Sequence, residues 1–171
     1  MREFKSMGDF AQFLGAMPAK LERVGNLGLR AAAGVIQYEA QHEIGTYQAQ
    51  AGSYPAWPQL AERTQRERVA LGFTPNDPLL RTGELADSIG ITTTFNEAVV
   101  GSDKDEAVYQ ELGTRHIPPR SFLGRAAFRK AATAVEVIAG SVVVVLAGLR
   151  RRPTMMDLEG MAADSVRDIP F

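Results

Sequence analysis

The chain has 171 residues, a mass of 18.6 kDa and no cysteine. Its hydrophobic fraction of 45% and charged fraction of 23% are globular values, which argue against wholesale disorder and against a multi-span membrane protein. Nineteen Lys and Arg against twenty Asp and Glu leave a net charge of −1, less basic than a general electrostatic binder of nucleic acid. The lack of thiols removes disulfide frameworks, thiolate metal sites and cysteine nucleophiles.

A chain of this length is expected to form one domain with a core that needs no disulfides. The N-terminal stretch MREFKSMGDFAQFLGAMP carries Asp9 and Gln12 inside its apolar run. A secretory signal has an uninterrupted apolar core, so the expectation is use without Sec export. Residues 4–16 then read as a short amphipathic helix, with Phe10, Phe13 and Leu14 at one-turn spacing. Pro18 punctuates it. A longer helix is expected over about 18–44, where Leu21, Val24, Leu27, Ala31, Val35 and Ile36 recur at three- and four-residue steps. Gly25, Gly28 and Gly34 weaken that helix; they are either tolerated or there to admit a neighbouring backbone.

Gly45 is placed to end the helix. The run GTYQAQAGSYPAWPQ has no period and reads as a long loop, followed by a charged helix over 59–71 that Gly72 stops. After the loop FTPNDP, Thr82 is placed to cap a short helix starting near Gly83. From Ser88 the period becomes two. Ile89, Ile91, Thr93 and Phe95 share one strand face, and Ala98–Gly101 returns as the second strand of a hairpin. No other strong strand is present, so helices or another copy must complete the sheet. A short helix is expected over 103–112, Gly113 follows its end, and Pro118-Pro119 make a rigid extended connection. The last helix begins near Arg120 and extends towards Arg150. Residues 154–171 are a polar C-terminal arm with scattered methionines, suited to order on a partner.

The stretch AATAVEVIAGSVVVVLAGL, residues 131–149, carries one charge, Glu136. A membrane-inserting helix, a buried strand and a covered helix are its three readings. The third is favoured, because charged groups flank both ends and the uninterrupted apolar part is short. A helix apolar on nearly all sides must be covered all round, and a neighbouring copy is the available cover.

Catalytic motifs are lacking. Gln41-His42-Glu43 has no second histidine four positions on, and Glu39, His42 and Glu43 read as a solvated helix face rather than a metal site. Asp103-Lys104-Asp105-Glu106 lacks the glycine and spacing of a calcium loop. No phosphate loop and no nucleophile elbow occurs. The expectation is no enzyme, no metal and no cofactor. Arg150, Arg151 and Arg152, with Arg125, Arg129 and Lys130 upstream, are the basic concentration. They either face phosphates in a lumen or complement a helix C-terminus.

Two segments carry a family resemblance. Tyr109-Gln-Glu111-Leu-Gly113-Thr114-Arg-His-Ile-Pro118-Pro119-Arg-Ser-Phe122-Leu123 resembles a Y-x-E-x-G-T … I-P-A-R-P-F-L signature. Trp57-Pro-x-Leu60-x3-Thr64, with Leu79-Leu-Arg-Thr82-Gly83-Glu-Leu85-x2-Ser88-Ile89, is similar to W-x-P-L-x3-T … L-x2-T-G-x-L-x2-S-I. Both patterns are those of the Mu G-like virion morphogenesis group of tailed bacteriophages and the related tail-completion or neck proteins, which the chain thus resembles. The resemblance covers about residues 20–150. Pro119 and Ser121 stand where Ala and Pro are commoner, and the proline after Trp57 is displaced.

The resemblance implies an α+β fold, a small antiparallel sheet packed against long helices, in a ring-forming subunit. Residues 1–153 would be the single neck or tail-completion domain. The implied role is that of a tail-completion or tail-terminator protein in the virion neck, assembled in the host cytoplasm. Its ring, six-fold, would join the tail tube to an adjacent connector and pass genomic DNA without sequence readout, away from any membrane. A capsid-side head-closure protein is the alternative, and a membrane-inserting protein using 131–149 is the alternative from a different class. The motif residues are scaffold: Gly113 supplies a turn, the prolines fix the start of the long helix, and Phe122 and Leu123 anchor it.

Overall fold

The computed structural model describes residues 5–94 and 96–146. It is α+β: five helices and a two-stranded antiparallel sheet packed against the long helices. In chain order these are α1 (Met7–Glu43), α2 (Glu62–Ala70), α3 (Glu84–Asp87), β1 (Ile89–Thr93), β2 (Ala98–Ser102), α4 (Asp105–Leu112) and α5 (Leu123–Leu146).

Ser6 starts α1, its hydroxyl accepting the Asp9 amide at 3.1 Å. The expected break at Pro18 does not occur; α1 is one helix of 37 residues with Pro18 inside it. A proline inside a helix costs one backbone hydrogen bond and some strain, and α1 carries that cost. Beside it Leu14 is 49% exposed and Met17 and Leu21 are only half-buried, so deep packing does not account for the continuity. Glycines close the following turns in the left-handed region: Gly45 at φ 97°, Gly72 at 81° and Gly113 at 75°. The helix expected over 59–71 is shorter, and α3 begins after Gly83. The described part of 131–149 is helical, so its strand reading is wrong.

The described residues form two compact units. One comprises the chain through Val35, Thr92–Val99 and the chain from Ala132; the other comprises Ile36–Ile91 and Val100–Ala131. In the first, α1 buries Ala31, Ala32, Ala33 and Val35, and α5 buries Ala134, Val137 and Ser141. Gly28 lets the helices touch there: a side chain on it would overlap the Ser141 hydroxyl and lie 3.4 Å from the Ile138 Cα. Gly25 and Gly34 have open space around them and are merely tolerated.

The second unit holds the main apolar core: Ala40, Ile44, Trp57, Leu85, Ile89, Ala107, Phe122 and Ala126. α1 also grips the hairpin by polar contacts. Gln37 donates to the Ile89 carbonyl at 2.6 Å and Gln41 to that of Ala86 at 3.2 Å. The loop before α3 carries Leu79 at φ 63°, an unusual conformation for a non-glycine residue. Buried Arg68 of α2 holds that loop by donating to the carbonyls of Thr74 and Leu80. Among the described residues no helix is long and apolar enough to cross a membrane. Residues 147–149, Arg150, Arg151, Arg152 and the arm 154–171 lie outside the described residues, as does the expected boundary at 153.

Candidate functional site

The residues of the two motifs converge where α5 begins, in the second unit. Glu111, in the last turn of α4, is the hub. One carboxylate oxygen accepts from the Ser121 hydroxyl at 2.5 Å and the Gly124 amide at 2.9 Å. The other accepts from the amides of Phe122 at 2.8 Å and Leu123 at 2.9 Å. A helix start leaves its first amides without intrahelical partners, and its dipole favours a negative charge there. Glu111 meets both demands from another helix, so it welds α4 to α5.

The connection between the two helices is equally fixed. Gly113 lies against Pro119; a Cβ at Gly113 would sit 2.9 Å from that proline's nitrogen and 3.0 Å from the Ile117 carbonyl. Thr114 closes the turn: its amide donates to the Ile117 carbonyl at 2.8 Å, and its hydroxyl accepts from the amides of His116 and Ile117. The Arg120 amide donates to the Gln110 carbonyl at 2.7 Å. Its buried guanidinium donates to the carbonyls of Pro58, at 2.9 and 3.2 Å, and Gln59, at 3.3 Å. Burial holds the Arg120 guanidinium below its usual range.

Trp57 ties the first motif to the second. Its ring is 5% exposed and its indole N–H donates to the Ser121 carbonyl at 3.1 Å. The Leu60 amide donates to the Tyr47 hydroxyl at 3.0 Å, and that hydroxyl donates to Asn76 at 2.6 Å. Leu85 and Phe122 are core, with Leu123 packed against them. Gly83 supplies the left-handed residue, φ 89°, before α3; Thr82 beside it is exposed and only grazes the Glu84 amide at 3.5 Å.

Thus the structure brings together Trp57, Glu111, Gly113, Thr114, Pro119, Phe122 and Leu123, with Leu60 and Leu85 behind them. Thr64, Tyr109 and Pro118 are exposed. Arg120, which the sequence marks only as a helix start, is also a member of the lock. Its place beside the double proline, inside a motif, was the available signal.

A second cluster corrects two readings. Glu43 is not on a solvated face but 3% exposed. One of its oxygens accepts from Arg125 at 3.1 Å and Arg129 at 3.4 Å. The other is buried without a hydrogen-bond partner, as is one terminal nitrogen of Arg125. Glu39 pairs with Arg129 at 3.2 Å and with buried Lys130 at 3.4 Å. Arg125, Arg129 and Lys130 are therefore neither phosphate-facing nor at a helix C-terminus; they clasp α1 to the first turns of α5. Burial pushes the Glu43 carboxyl up to about 7, opposed by Arg125 and Arg129 and reinforced by Glu39. His42 leaves this group, stacking on Tyr38 with centroids 3.7 Å apart. The signal for the clasp was two i, i+4 pairs, Glu39/Glu43 and Arg125/Arg129. No group of three or more His, Asp or Glu side chains poised for a metal occurs among the described residues.

No family model matches the chain, and no solved structure matches it. It is similar to a protein of Haemophilus influenzae named Mu-like prophage FluMu G protein 1, at 33% identity over 96 residues. That match covers 56% of this chain and 64% of the relative, slightly under two thirds of its length.

Proposed function

We propose that the chain is a structural protein of a Mu-like phage particle, acting in the neck as a tail-completion or tail-terminator subunit. One observation carries the reading: the residues that resemble the virion morphogenesis signature hold main-chain groups in place. Glu111 takes three amides and Arg120 two carbonyls, while Trp57 takes one. Such side chains fix a backbone. The similarity to a Mu-like prophage protein supports a phage origin.

In this reading the chain catalyses no reaction. Copies form a six-fold ring between the tail tube and an adjacent connector protein, and DNA passes through the lumen. A ring needs apolar surface to spare. The outer face of α5 offers Phe128, Val135 and Val143, at 53%, 65% and 59% exposure. In this reading the contact between copies is placed on these side chains.

Light scattering of the full chain without detergent, with negative-stain microscopy of the same sample, tests the proposal. Particles of about six or twelve copies with a central hole are the expected result. A monomer at every concentration, with no rings in the presence of tail tubes, refutes it.

A further inference from the structure

The outward side of α4 is not used by the lock. Ala107 is the helix's buried residue, whereas Val108, Tyr109 and Leu112 are 54%, 49% and 74% exposed. These residues, at i, i+1 and i+4, make one apolar stripe on an eight-residue helix. The charges around the stripe are segregated. Asp103, Asp105 and Glu106 lie exposed at its N-terminal end, and Lys104 is drawn away to Glu84 at 3.3 Å. Arg115 and His116 lie exposed at the other end, on the turn that Thr114 pins. None of these three acids, nor Arg115, has an ion-pair partner among the described residues.

We propose that this face of α4 is a two-fold self-association surface, occupied by α4 of a second copy running antiparallel. An acidic end, an apolar middle and a basic end make a surface that is complementary to itself only when reversed. With the two-fold axis beside Gln110, Val108 meets the second copy's Leu112, and Asp105 meets the second copy's Arg115. Tyr109 lies next to the axis and supplies a large side chain at its centre, as interfaces favour. Antiparallel helices also set opposite dipole ends side by side. An isologous contact of this kind pairs copies and cannot by itself close a ring, so it is separate from the ring contact proposed above.

Sedimentation equilibrium of the full chain at low salt tests the surface. Asp105, Leu112 and Arg115 are exposed, so their variants keep the fold, which circular dichroism checks. Leu112→Asp is expected to raise the dimer dissociation constant at least about tenfold. Asp105→Arg alone and Arg115→Asp alone each weaken pairing, because two like charges then face each other on both sides of the axis. An equimolar mixture of the two single variants restores pairing, since both contacts become Arg against Asp again. The double variant restores it for the same reason. Single variants that pair as tightly as the parent overturn the proposal, as does a mixture that fails to recover. A parent chain with no dimer at any soluble concentration also overturns it, leaving a different protein as the occupant. Rings that form while the charge reversals leave pairing unchanged refute this surface alone; paired copies that never form rings refute the ring alone.

Discussion

Replacing Glu111 by alanine removes one acceptor group from four donors at once. These are the Ser121 hydroxyl and the amides of Phe122, Leu123 and Gly124, all within 2.5–2.9 Å. Serine can turn to water. The three amides have no intrahelical partner, and Phe122 is fully buried. A buried donor left unmet costs about 1–3 kcal/mol, so three would cost up to roughly 9 kcal/mol if none were rehydrated. The vacated space admits water to Leu123 and Gly124, which are only half-buried, and the loss of one N-terminal cap costs about 0.5–2 kcal/mol. The expected cost therefore lies between these bounds, at about 3 kcal/mol. With a urea slope near 2 kcal/mol/M, the unfolding midpoint falls by roughly 1.5 M. Glu111→Gln keeps one carbonyl oxygen but turns an amide towards donors and removes the charge, so it should cost about half as much. Urea titrations followed by circular dichroism read both, with exposed Thr64→Ala as a reference expected within about 0.5 kcal/mol. A Glu111→Ala midpoint as close to the parent as that reference would refute the lock as the anchor of α5.

Two further outcomes are expected. Gly25→Ala, with open space around it, should stabilise by up to about 1 kcal/mol; Gly28→Ala should destabilise, and Ser141→Ala should rescue it, in a thermal-melt double-mutant cycle. Glu43 has its carboxyl raised from 4.5 to about 7, so the folded chain holds this proton more tightly than the unfolded chain. Its contribution is full below about 4.5 and is lost as pH rises through about 7, a fall of at most roughly 3 kcal/mol. Glu43→Gln should flatten that part of the stability profile between pH 4.5 and 8, and an unchanged slope would sink the assignment.

Local chemistry was legible in the sequence wherever a residue type answers to a nearby backbone demand. Gly45, Gly72 and Gly113 all occupy the left-handed turns expected of them, and the two-residue period of Ile89 and Ile91 marks β1. What resisted reading depends on partners distant in the chain. Glu43 sits 82 residues from Arg125, and until α1 and α5 are paired nothing distinguishes a buried carboxylate from a solvated one. Pro18 is a different case: α1 carries it as a local cost, and no residue around it marks that outcome in the sequence. Glu111 stood inside a visible motif. Its task could not be read there, because it caps a helix that begins only after a turn and a double proline have reversed the chain. Leu79 gives no sign in sequence of its positive φ, since the conformation is imposed by the loop that Arg68 holds.

The lock and the outer face of α4 explain each other. A helix of eight residues with one buried alanine has little packing of its own to hold it in place. It is fixed from its ends instead. Ser102 accepts the Lys104 amide before its start, Gln110 and Glu111 are bound to the 120–124 segment, and Gly113 is pressed against Pro119 at its end. A side chain that is already immobile when it meets a partner loses less freedom on binding, and that saving strengthens association without any added contact. Val108 and Leu112 are thus presented on a frame whose backbone has been ordered in advance by folding. This predicts that damage to the lock also weakens α4 pairing under conditions where the fold survives. In water well below the unfolding midpoint, Glu111→Gln should raise the dimer dissociation constant although Glu111 makes no contact across the proposed interface. An unchanged constant would mean that α4 is held by its own residues, and that the motif serves the start of α5 alone.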